Sequence, residues 1–177
     1  MKETLSEKQA KVAGIRAECR QFAMLYYHMC QVLVETQGVA QAKESVREIL
    51  YRLSLDRTDQ LREKAGELGL PCTLESFTKI NDLPAEGWIA ELGVDHCPYA
   101  QCWRQYYEKS PWFREFAPYY CDVIDTTNIE NFSRTLTHRI TKNVLKGDDT
   151  CERIYEPSER VQSGFYTYAG GKERGEE

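Results

Sequence analysis

A chain of 177 residues suffices for one well-buried domain, and for two only if both are small. Hydrophobic residues at 41% and charged residues at 29% mark a globular protein and not a disordered one. The net charge of -5, with 23 basic residues scattered among 28 acidic ones, leaves no basic face for nucleic acid, and no run approaches the about 18 apolar residues of a membrane span.

The opening MKETLSEKQAKVAG holds no apolar signal-peptide core, so a cytoplasmic location is expected. From Glu7 to about Glu35, apolar residues at Val12, Ile15, Cys19, Phe22, Tyr26, Met29 and Leu33 alternate steps of three and four, which predicts one amphipathic helix. After Gly38 a second such pattern runs through Val46, Leu50, Leu53, Leu61 and Leu68, and stops at Gly69-Leu70-Pro71. The two read as an antiparallel helical pair whose stripes close on each other or on a second subunit, implying a homo-oligomer through the N-terminal helices. Cys19, His28 and Cys30 in this region read as packing or surface residues.

Thr73 caps a short helix to Asn81. Trp88, Ala90, Leu92, Val94 and His96 then alternate with Ile89, Glu91, Gly93, Asp95 and Cys97, which predicts a strand over Gly87 to His96. Pro98 suits the first turn of a helix, placing Cys97 at or beside its N-cap. Ser110-Pro111 repeats the cap signal, and a further helix follows to about Asp125, interrupted near Pro118. Arg134 to Tyr155, rich in threonine and β-branched residues, predicts a hairpin with its turn at Gly147-Asp148. On its first strand Thr137, Arg139 and Thr141 share one face, while Leu136, His138 and Ile140 share the other. The fold expected is α+β: a helical pair (1–70), an α+β unit with a small antiparallel sheet, packed helices and a C-terminal hairpin (71–156), and a tail (157–177).

Seven cysteines form an odd set without an export signal, so reduced thiols are expected, four of them between Cys97 and Cys151. A cysteine at a helix N-terminus faces unpaired N–H groups, which lowers its pKa and fits Cys97 for attack. His96 would point away on a strand, so the base would be Asp95 or a residue from elsewhere. The alternative is that Cys97 packs beneath the junction. Cys97, Cys121, Cys151 and His138 are also acceptable ligands for zinc or iron, although no spacing demands a metal. Gly147-Asp148-Asp149 makes a tight turn and leaves Asp148 or Asp149 open as metal ligand or general base, and Arg139, on the threonine face, suits a substrate carboxylate.

The order Cys97-Pro98, Cys121-Asp122, a threonine-rich strand and Gly147-Asp148-Asp149-Thr150-Cys151 resembles the L-2-amino-thiazoline-4-carboxylic acid hydrolase family over roughly Trp88 to Tyr155. The resemblance implies a small enzyme that opens a cyclic amidine or thioimidate by hydrolysis at a carbon–nitrogen bond. It also implies that Cys97 serves as nucleophile or ligand and that Cys121, Asp122, Asp149 and Cys151 are family positions. Strand parity adds His138 as acid or base and Arg139, Thr137 and Thr141 as substrate contacts. Arg153 departs from the pattern, where an aromatic or apolar residue usually follows the last cysteine. The cysteine-helix-hairpin ending is similar also to 4-vinyl reductase-like domains, which implies instead a small-molecule or metal sensor without catalysis.

Overall fold

The computed structural model describes residues 6–80 and 83–157, so the expected tail, but for Pro157, lies outside them. The chain is α+β, mostly helical with a two-stranded antiparallel sheet. Helix α1 spans Glu7–Glu67 and opens with a capping box: Ser6 Oγ accepts from the Gln9 amide at 3.3 Å, and Gln9 Oε1 accepts from the Ser6 amide at 3.0 Å. One stripe of its first arm, Ile15, Cys19, Ala23, Tyr26 and Cys30, is buried at steps of three and four. Gly38 then leaves helical geometry with φ 77° and ψ 162°, a region that only glycine adopts freely.

The chain reverses there. Phe22 stacks edge-on against Tyr120 at 5.5 Å while Arg47 covers the adjacent Tyr119 ring at 4.5 Å. Twenty-five residues of straight helix would hold those two side chains about 37 Å apart. The second arm buries Ala42, Val46, Leu50, Leu55, Leu61 and Ala65.

The α1 arms pack against α3 (Pro98–Arg104), α4 (Phe113–Phe116), a π-helical turn (Tyr120–Asp125) and α5 (Thr126–Ser133). Aromatic residues fill the join, and their polar ends are hydrogen-bonded, as burial demands. The fully buried Trp103 donates Nε1–H to the Ala23 carbonyl at 2.8 Å, and the Tyr26 hydroxyl donates to the Phe116 carbonyl at 2.8 Å. Ser54 Oγ shares its one hydrogen between the Ile124 carbonyl at 3.0 Å and Asn128 Oδ1 at 2.9 Å. The main hydrophobic cluster accordingly runs from Ile15 to Leu145. A smaller one joins Leu61 and Ala65 to Ile80 of α2 (Leu74–Ile80) and Phe132 of α5.

The expected strand over Gly87 to His96 does not form. Those residues make 3₁₀ turns at Ala85–Gly87 and Ala90–Asp95, and Gly93 turns the chain with φ 56°. Among the described residues no second strand flanks the segment, and its backbone closes on itself, with the Ile89 amide on the His96 carbonyl at 3.1 Å. Arg16 of α1 completes the satisfaction, donating to the carbonyls of Gly87, Asp95 and His96 at 2.6, 3.0 and 3.1 Å.

Helix α3 starts at Pro98 with Cys97 as its N-cap, as the proline predicts. The next helix breaks between Phe116 and Tyr120, around Pro118. Strands β1 (Leu136–Lys142) and β2 (Glu152–Pro157) form the hairpin, closed by a 3₁₀ turn at Val144–Lys146 and Gly147 at φ 104°. A bulge lies between Ile140 and Lys142.

Candidate functional site

Directly opposed residues of an antiparallel pair project from the same face. The register sets His138 opposite Tyr155 and Ile140 opposite Arg153, so His138, Tyr155 and Arg153 share the inner face of the hairpin. That face meets α1, α2 and the π-helical turn around a cavity of about 270 Å³. Phe77, Trp88 and Tyr155 give it aromatic walls, and Arg57, Asp125, His138 and Arg153 give it charge and proton chemistry.

Arg153 donates to Asp125 Oδ2 through Nε at 3.1 Å and Nη2 at 2.6 Å, with about a third of each side chain exposed (34% and 30%). Burial opposes the Arg153 charge, but the Asp125 carboxylate and its hydrogen bond outweigh it and hold the guanidinium pKa above its ordinary value. His138 is 5% exposed. Burial lowers its pKa to about 4, with the Arg153 charge adding to the effect and Asp125 opposing it, so the imidazole is neutral at pH 7. Thr126 Oγ1 lies 3.1 Å from its Nδ1, the ring leans on Tyr155 at 5.2 Å, and the buried Nε2 has no partner among the described residues. In the tautomer whose Nδ1–H donates to Thr126 Oγ1, the unpaired Nε2 is the nitrogen that can accept a proton.

Cys97 stands behind this wall, against Trp88 and not in the lining. Burial dominates and raises the thiol pKa, contrary to the lowering expected of a helix N-terminus. The Tyr99 and Ala100 amides and Trp88 pull the other way without overcoming burial. Cys121 is buried in the core and its thiol pushed well up, first by burial and then by the Asp125 carboxylate. His96 is partly exposed, and its Nδ1 contacts the Gly93 carbonyl at 2.9 Å. Asp95 is engaged by Arg104 at 3.1 Å, so neither stands as a base for Cys97.

The zinc or iron set of Cys97, Cys121, Cys151 and His138 does not converge. Among the described residues no group of three or more His, Cys, Asp or Glu could hold a metal ion. His138 is drawn instead toward Thr126 and Tyr155. Cys30, packed in the core, is pushed by burial up to about 12 and behaves as a small hydrophobe.

Arg139, Thr137 and Thr141 lie on the outer face of β1, separate from Cys97. Arg139 pairs with Glu156 at 3.1 Å, and Thr141 Oγ1 donates to Glu152 at 2.6 Å. Arg139 and Thr141, with His138, line a second cavity of about 390 Å³. Asp149 is exposed in the turn and lines neither cavity. The sequence reading missed Arg57, Asp125, Asn128 and Tyr155. Arg153 it noticed only as a departure from pattern, which was the available signal: a cation placed where packing alone would call for an apolar residue.

A family model described as L-2-amino-thiazoline-4-carboxylic acid hydrolase matches residues 18–155. No curated protein and no solved structure matches the chain. Among the described residues no helix is long and apolar enough to cross a membrane.

Proposed function

Because the chain belongs to the L-2-amino-thiazoline-4-carboxylic acid hydrolase family, we propose that the cavity at His138 and Arg153 is the active site of a hydrolase. Its substrate is a small cyclic amidine or thioimidate carrying a carboxylate, opened at a carbon–nitrogen bond. The observation that carries this reading is one cavity joining both signs of charge to a neutral histidine whose Nε2 is unpaired.

Such a substrate is a flat ring with an N–H-bearing amidine at one end and a carboxylate at the other. Trp88, Phe77 and Tyr155 offer the ring apolar faces. Asp125 complements the amidine N–H groups and Arg57 the carboxylate, while Arg153 fixes the orientation of Asp125. His138 Nε2 takes a proton from water as the water oxygen bonds to the carbon between nitrogen and sulfur. Collapse of the adduct breaks the ring carbon–nitrogen bond and leaves a carbonyl on that carbon. Both protons of the water end on the departing nitrogen, so water is the only co-reactant.

Water is preferred to Cys97 as the attacking group because burial keeps the Cys97 thiol protonated and Cys97 does not line the cavity. Turnover of 2-amino-thiazoline-4-carboxylate and related cyclic amidines by purified protein tests the class. His138→Gln should lower kcat by about 10²- to 10⁴-fold, the range of a lost acid–base group, while Cys97→Ser keeps most activity. An inactive Cys97→Ser variant together with a covalent adduct on Cys97 in mass spectra would transfer the attack to the thiol. No turnover of any cyclic amidine would refute the reaction class.

A further inference from the structure

His138 lines two cavities, and only the first is accounted for by hydrolysis. The second, about 390 Å³, lies along the edge of β1 between the hairpin, the π-helical turn and the second arm of α1. Its lining carries three cations, Arg47, Arg139 and Lys146, against one carboxylate, Asp122, in a chain whose net charge is -5. The hydroxyls of Tyr119, Thr126 and Thr141 add donors, and Val123 and Ile140 give it an apolar surface.

We propose that this second cavity binds a small organic or inorganic oxyanion, a carboxylate or a phosphate, and that its occupant acts on the first cavity through Thr126 and His138. The three cations are each answered by a carboxylate, Glu44, Glu156 and Asp122, so an anion enters this cavity by taking over ion pairs that already exist. The Arg47 guanidinium is held 4.5 Å over the Tyr119 ring, 3.1 Å from its hydroxyl and 2.7 Å from the exposed Glu44, so little freedom is lost when it exchanges that carboxylate for an anion. Lys146 and Arg139 are balanced by partners well open to solvent: Asp122 at 2.8 Å is 33% exposed and Glu156 at 3.1 Å is 51% exposed. Water screens such pairs, and an incoming oxyanion can take over from the carboxylates at small cost.

The link to the first cavity is short. Thr126 lines the second cavity and its Oγ1 sits 3.1 Å from His138 Nδ1. An anion that accepts from the Thr126 hydroxyl leaves its oxygen free to accept from Nδ1–H, which favours the tautomer whose Nε2 can take a proton. The inference that binding changes catalysis rests on the hydrolase reading; the inference that an oxyanion binds does not.

The test is calorimetric titration of the full chain with succinate and, separately, with inorganic phosphate at low ionic strength, followed by ¹H–¹⁵N spectra of the imidazole. Saturable binding of at least one anion is expected, weakened about tenfold or more by Arg47→Gln with Lys146→Gln and unchanged by Arg57→Gln in the first cavity. Whichever anion binds names the source, carboxylate or phosphate. The His138 ring nitrogen signals should shift on saturation, and kcat for amidine opening should change with the same concentration dependence. No saturable binding of either anion, or binding lost in Arg57→Gln and kept in the double variant, overturns the site. A protein that binds the anion and shifts the His138 signals but opens no amidine keeps this site and refutes the hydrolase.

Discussion

His138 is held in the form that the solvent would not choose below neutrality. An ordinary histidine titrates near 6.5, and burial brings this one down to about 4. Between those two pH values the unfolded chain binds a proton that the folded chain refuses, so stability rises with pH through the window from about 4 to 6.5 and is flat above it. Two and a half pH units correspond to about 3 kcal/mol lost as the pH falls from 6.5 to 4. Urea unfolding at pH 7 and pH 4.5 measures it, with His138→Gln as the reference that cancels the carboxylates common to both proteins. The wild-type chain should lose about 2 to 3 kcal/mol more than the variant over that interval, and equal losses would mean the ring is solvated. His138 and Arg139 were legible as candidates because strand parity separates an inner from an outer face. Asp125 and Arg153 were not, because their meeting depends on the register of β2 and on a π-helical turn, and local spacing encodes neither.

Elements with their own backbone signals follow the sequence closely. Gly38, Thr73 before α2 and Pro98 at α3 each act through φ, a cap or a missing N–H within a few residues. The segment over Gly87 to His96 misled because alternation has meaning only where a neighbouring strand exists. Here the satisfying group is Arg16, 71 to 80 positions away. The same distinction between local and distant causes can be tested at two glycines of α1. An added methyl group meets nothing within 4 Å at either Gly14 or Gly38, so packing does not separate them. Backbone conformation does. Gly14→Ala, in the helix, should stabilise by about 0.5 to 1 kcal/mol. Gly38→Ala, at φ 77° and ψ 162°, should destabilise by about 1 to 3 kcal/mol, as chemical denaturation of the two variants will measure. Opposite signs are the expected result, and two gains in stability would mean that the reversal at Gly38 is not conformationally demanding.

On the scale of the whole molecule, the helical hairpin and the segment that carries the cavity are not separable in their packing. Trp103, Phe113 and Phe116 are completely buried, and what covers them includes Tyr26 and Tyr27 of α1. Tyr27 stacks on Tyr106 at 3.7 Å, and its hydroxyl shares a hydrogen with Ser110 at 2.7 Å. On the other arm, Ser54 and Thr58 both donate to Asn128 Oδ1 at 2.9 Å, and Asn128 lines the first cavity. Residues 71–157 expressed alone would therefore expose three large aromatic side chains and leave the Asn128 acceptor without its two donors. Each uncovered aromatic forfeits on the order of 2 to 3 kcal/mol of burial, against a total stability of about 5 to 15 kcal/mol for an ordinary domain. The fragment should be unfolded by far-UV circular dichroism. The full chain should unfold in one transition, with tryptophan fluorescence and far-UV signals coincident in urea. A folded fragment, or a fluorescence transition displaced from the helical one, would instead make α1 an extension that stands apart from the unit bearing His138 and Arg153.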